Sequence, residues 1–291
     1  MKVKKIIEVL QREKIAYEFY GDENLDINGF SSLVNYKHGT LTWIKKKENY
    51  NGTAVSCCIT SEKIDGPIES QIVVENSKKA FFNIIEELFA VRESKEAIGA
   101  NSSIGDNVHI GKNVNIGSNC SINGEIFIDD DTIIGDGVVI KGKVKIGKRC
   151  TIQSNAVIGE PGFGYSEENG IKTIIRHFGG VNIGDDVHIG ANTCIARGTI
   201  DDTCIGNGSK IDNLCHIAHN VVIGKNVTLI AGSLIYGSVN IGDNSYIASG
   251  IIKNQLEIGK NVTVGMGSVV MKDTEDNVTI VGVPGEKKNN N

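Results

Sequence analysis

The chain keeps a beat of six. Ile98, Ile104, Ile110, Ile116, Ile122, Ile128, Ile134, Ile140, Ile146, Ile152 and Ile158 follow one another without a miss. The beat resumes at Ile183, Ile189 and Ile195, then takes two five-residue steps to Ile200 and Ile205. It runs on through Ile211, Ile217, Ile223, Leu229, Ile235, Ile241 and Ile247, takes one more short step to Ile252, and closes with Ile258, Val264 and Val270. Glycine often follows the isoleucine, and the residue four places on is usually small or β-branched, as at Val108, Ala156 and Ser233.

A helix repeats its apolar face every 3.6 residues and a half-buried strand every second residue. A period of six fits very short strands joined by tight turns, with one large aliphatic and one small residue inward per hexad. Glycine serves such turns because it alone takes positive φ freely. Hexapeptide repeats are a signature of the β-helix, whose coils bury their interiors only by stacking on one another. The spacing therefore predicts a mainly β fold, a parallel β-helix over 98–275 interrupted by an inserted loop at 159–180.

The remainder divides around that body. Residues 2–15 read as a helix, and LTWI (41–44), TAVSCCI (53–59) and QIVVE (71–75) read as strands. The stretch SKKAFFNIIEELFAVRES reads as an amphipathic helix with Ser77 as its N-cap. A small α/β domain is thus expected over 1–92, a charged linker at 93–97, and a short polar tail at 276–291.

Composition narrows the function. A net charge of -5 argues against nucleic acid as a partner. No stretch of about 18 apolar residues offers a membrane span. The opening MKVKKIIEVLQREK lacks the apolar core of a signal peptide. Seven cysteines without a C-x-x-C pair suit core filling in a reducing cytoplasm.

Six histidines are present, and His216 and His219 flank Ile217 within CHIAHNVVIG. With Ile217 inward, His219 falls at a turn facing out, where an imidazole suits proton transfer at neutral pH. If three hexads close a coil, Gly237 stacks on His219, and a backbone N–H beside a base suits acyl transfer. The same count places Thr199 and Asp202 on the other side; Asp202 is either a carboxylate that orients the imidazole or a solvated turn residue, and Asn220 and Asp212 are open as alternatives for that role. Three converging ligands for catalytic zinc are not in prospect, so no metal is expected. Trp43 and Tyr50, either side of a basic run, are placed to sandwich a planar base or to pack locally.

Residues 181–224 (VNIGDDVHIGANTCIARGTIDDTCIGNGSKIDNLCHIAHNVVIG), the loop GEPGFGY (159–165) and the domain order resemble the UDP-3-O-acylglucosamine N-acyltransferases of lipid A synthesis. The resemblance implies a left-handed β-helix, a uridine-binding first domain, and a homotrimer with active sites between neighbouring β-helices. By it His219 is the general base and Gly237 the oxyanion donor. Asp212, Asn213 and His216 lie around the substrates, and Trp43 and Tyr50 hold the nucleotide base. Two departures stand out: Ala196-Arg197-Gly198 replaces D-R-G, and Gln255 replaces a histidine. The ending VGVPGEKK resembles short-chain, CoA-dependent hexapeptide transferases. The expectation drawn from it is transfer of a short (3-hydroxy)acyl group from acyl-CoA to a nucleotide-linked amino sugar for a surface glycan. The sugar would be of the dTDP-4-amino-4,6-dideoxyglucose type, as in the anthrose-forming acyltransferases. The alternative is the lipid A reaction with an acyl-carrier-protein thioester, and a non-catalytic solenoid is the reading from another class.

Overall fold

Most hexads of the repeat become a strand of two residues and a turn. The computed structural model describes residues 1–90 and 98–287. They form two compact units, one within Met1–Ser94 and the other within Lys95–Asn291. The expected linker at 93–97 lies outside the described residues.

The second unit is a parallel β-helix. Its strands pair in register from coil to coil, so that Ile211 lies on Leu229 and Leu229 on Ile247. These side chains are fully buried and form one continuous core along the stack. Two faces merge into one fifteen-stranded sheet, and the third is a sheet of ten strands. The two faces are joined by the long strands Ser121–Ile128 and Val139–Ile146. Gly124 (φ 133°) and Gly142 (φ 83°) let those strands turn the corner without a break.

The small inward slot is often polar yet satisfied. Thr132 Oγ1, Ser209 Oγ and Ser245 Oγ each donate to a glycine carbonyl of the coil above at 2.9 Å. At the turns, asparagine takes the left-handed conformation repeatedly, as at Asn113, Asn155 and Asn226. Asp130, Asp136 and Asp243 accept from turn N–H groups of the preceding coil at 2.6–2.8 Å. The repeat thus encodes its backbone partners as well as its core.

Three expectations for the solenoid need correction. Ile200 is not on the inward beat: it is 81% exposed, and residues 198–202 bulge out between the core positions Ile195 and Ile205. The coil below His216 is therefore longer than two short steps allow, and Cys194, not Thr199, is its partner. The stack also continues past 275, because Ile280 pairs with Val264.

In the first unit, α1 (Val3–Arg12) and α2 (Ser77–Phe89) accompany a four-stranded sheet. Its strands are β1 (Glu18–Gly21), β2 (Leu41–Trp43), β3 (Val55–Thr60) and β4 (Ile68–Val73), in the order β1-β4-β3-β2. Strand β3 is buried at every position, as its unbroken TAVSCCI run requires. The N-cap of α2 is Asn76, whose side chain accepts from Lys79 N at 3.1 Å, rather than Ser77.

Candidate active site

Strand His216–Ile217 fixes the site. Ile217 is fully buried between Ile195 and Ile235, so the next turn carries Ala218, His219 and Asn220 outward. Asn220 takes φ 59°, a conformation asparagine tolerates better than most residues. Its amide orientation is settled by its partners. Oδ1 accepts from Thr199 N at 3.1 Å and Thr199 Oγ1 at 2.8 Å, while Nδ2 donates to the Asp201 carbonyl at 3.2 Å. His219 Nδ1 lies 3.0 Å from that same Oδ1, which can only accept. The proton of the neutral imidazole is therefore on Nδ1, and Nε2 carries the free lone pair. Asp202, the carboxylate considered for this task, is committed elsewhere: its Oδ1 accepts from Gly180 N at 2.7 Å, where the inserted loop returns.

Gly237 lies at the Nε2 end of this ring. A methyl group added there would stand 2.9 Å from both Cε1 and Nε2 of His219. The bare backbone is what lets the next coil approach. Ser238 N donates to the His219 carbonyl at 3.0 Å, and the Gly237 carbonyl accepts from Gln255 N at 2.9 Å. Among the described residues no acceptor meets the Gly237 N–H. A base nitrogen and an unengaged amide donor are thus neighbours.

The inserted loop closes over them. It leaves the stack along Val157–Pro161, forms an antiparallel hairpin from Tyr165–Glu168 and Ile171–Ile174, and returns past His177. His177 is 6% exposed and its ring meets that of His219 at 5.1 Å between centroids. Loop and coils enclose a cavity of about 850 Å³, whose walls include Phe163, Cys194, His216, His219, Gly237 and Gln255. His216 stands directly above Cys194 in register, and burial pushes its imidazole below the ordinary histidine range.

The other expected site residues lie apart from this cavity or in the other unit. Asp212 and Asn213 act as turn caps: Asp212 Oδ2 accepts from Ala231 N at 3.2 Å, and Asn213 Oδ1 from Ala191 N at 2.6 Å. Trp43 donates from Nε1 to Ser77 Oγ at 3.1 Å and packs against Phe81 and Phe82. Tyr50 donates to the Thr53 carbonyl at 2.7 Å and belongs to a different apolar cluster. Among the described residues no ring contact joins the two. Nor do three or more His, Cys, Asp or Glu side chains converge as a metal site would need, among the same residues. His177 is the residue that sequence reasoning missed. It sits in the loop, where no periodicity says what it faces.

The fold and this site define a hexapeptide-repeat protein. The bacterial transferase hexapeptide model (six repeats) matches residues 125–160. The hexapeptide repeat of succinyl-transferase matches 173–197, 180–213 and 220–252. The more particular likeness is to UDP-3-O-acylglucosamine N-acyltransferases. That of Ectopseudomonas mendocina is 56% identical over 95 residues, 33% of this chain and 27% of the relative. That of Delftia acidovorans is 40% identical over 131 residues, 45% of this chain and 39% of the relative. The chain thus matches well under half the length of these curated relatives. Among solved structures, the UDP-N-acetylglucosamine O-acyltransferase of Moraxella catarrhalis aligns with a TM-score of 0.59 and 27% identity. That alignment covers 66% of this chain and 74% of the other.

These relatives overturn the dTDP-4-amino-4,6-dideoxyglucose expectation. They are named for a UDP-linked, 3-O-acylated glucosamine, which is the alternative reading. That expectation rests on the ending VGVPGEKK, and among the described residues none beyond Gln255 lines the cavity.

Proposed function

We propose that the chain is an acyltransferase that moves an acyl group from a thioester to the amine of UDP-3-O-acylglucosamine. The observation that carries the reading is the pairing of His219 Nε2, left as the basic nitrogen by Asn220, with the unengaged Gly237 N–H beside it. The amine nitrogen attacks the thioester carbonyl, and His219 Nε2 takes the amine proton. The Gly237 N–H donates to the oxyanion of the tetrahedral intermediate. The C–S bond then breaks, and the proton passes from His219 to the departing thiolate. A positioned base contributes roughly 10²–10⁴-fold, and one oxyanion donor roughly 10²–10³-fold.

The family resemblance carries the rest of this reading. It implies acyl carrier protein as the thioester carrier, with CoA as the second carrier to offer. It implies a homotrimer, in which a neighbouring solenoid adds to the cavity wall, and a first unit that holds uridine. Seven unpaired cysteines suit a reducing cytoplasm, and among the described residues no helix is long and apolar enough to cross a membrane. The test is thiol release from 3-hydroxyacyl thioesters on each carrier, with UDP-3-O-acylglucosamine as acceptor. Turnover that depends on His219 supports the reading, and none on either carrier ends it. Sedimentation equilibrium tests the trimer.

A further inference from the structure

We infer that His177, on the returning limb of the inserted segment, is a positioning residue that holds the His219 ring in place for proton transfer. The inference rests on the proposed role of His219 as the base.

Three observations carry it. The first is how His177 is held. It is 6% exposed, and its Nδ1 lies 3.0 Å from the Ile175 carbonyl, which can only accept. The proton is therefore on Nδ1, and Nε2 is a lone-pair nitrogen. That Nε2 is buried and meets no donor among the described residues. Hydrogen bonding thus anchors one end of the ring, and the other end is left for contact rather than for a polar partner.

The second is what it touches. The rings of His177 and His219 meet at 71° with centroids 5.1 Å apart, an edge-to-face pairing of the kind aromatic rings favour. Asn220 restrains His219 at Nδ1. His177 occupies the space beside the ring, so a swing of the imidazole is blocked by a second contact from a different segment.

The third is the bare backbone that makes room. A methyl group on Gly162 would stand 2.8 Å from His219 Cβ, 2.9 Å from His219 Cδ2 and 3.1 Å from His177 Nε2. One on Gly164 would stand 3.0 Å from His177 Cε1. The Gly162-Phe163-Gly164 segment passes over both imidazoles at a distance only glycine permits. Burial also pushes His177 below the ordinary histidine range, and His219 and Arg197 push the same way. His177 stays a neutral ring beside the one that takes the proton, and adds no competing charge.

The test is a kinetic comparison of two full-length variants. His177→Ala removes ring and anchor. It should lower kcat roughly 10–100-fold, the scale on which small misplacements of catalytic groups act. The KM of each substrate should stay within about twofold and Tm should be unchanged. His177→Phe restores a ring and should recover most of the lost kcat. An Ala variant with wild-type kcat overturns the inference. So does a loss matched by a fall in Tm, or a Phe variant as impaired as Ala with its fold intact. If the wild-type protein turns over no UDP-linked acceptor, the proposed function fails by itself. A crystal structure of His177→Ala then decides the positioning claim: a displaced or multiple His219 rotamer supports it, and an unchanged rotamer overturns it.

Discussion

His219 Nδ1 lies 3.0 Å from Oδ1 of Asn220, its own neighbour in the chain. The same oxygen accepts from Thr199, so one asparagine ties the proposed base to the outward bulge of the preceding coil. Asn220→Gly keeps the left-handed backbone but removes every side-chain bond. It should lower kcat about 10–100-fold, since an unoriented base is a misplaced one. Asn220→Ala should match that loss and add a fall in Tm from backbone strain at φ 59°. Steady-state kinetics beside thermal melts check both.

Gly237→Ala tests the closeness of the next coil. The added methyl meets Cε1 and Nε2 of His219 at 2.9 Å, and the ring must give way. Gly237 does not take positive φ, so the backbone itself accepts alanine. The expected outcome is a loss of about 10²-fold in kcat with Tm nearly unchanged. A fully active alanine variant would show that His219 does not need the bare backbone beside it.

The bulge at 198–202 separates core isoleucines from a look-alike. Ile205→Ala empties a buried position in the stack and should cost about 2–5 kcal/mol. Ile200→Ala, at an 81% exposed position, should stay within about 0.5 kcal/mol of wild type. Urea unfolding of the two variants reads the difference.

Stability should fall as the pH drops below neutrality. His177, His188 and His216 all lie below the ordinary value of 6.5, with burial as the largest cause. Each is neutral in the folded protein and free to charge when unfolded. Their contribution is complete above about pH 6.5 and is lost as the pH falls toward and through their folded values. Asp130 and Asp186 lie below 3.8 and act only in a more acid window. Melting curves between pH 7.5 and 5 should therefore show a decline, shallower in His216→Gln than in wild type.

Most of the fold was legible because the core repeats. A fixed period needs no knowledge of distant contacts, so the coils, their inward isoleucines and the approach of Gly237 to His219 follow from counting. Counting failed where the coil lengthens: Ile200 matched a five-residue step but points to solvent, and Cys194 took the place expected for Thr199. It was silent on the inserted loop, where His177 reaches the site through an antiparallel hairpin that has no period. The choice of Asn220 over Asp202 was hidden for another reason. It depends on which side chain the returning backbone at Gly180 claims, a contact between residues 22 apart. Asp212 and Asn213 were singled out by likeness, and the structure shows both closing turns.

The most direct measurement is the rate of thiol release with UDP-3-O-acylglucosamine and a 3-hydroxyacyl thioester, on acyl carrier protein and on CoA, for wild type and His219→Ala. Turnover by the wild-type protein is expected, with a loss of roughly 10²–10⁴-fold in the variant. Equal rates for the two proteins, or no turnover by the wild type on either carrier, would contradict it.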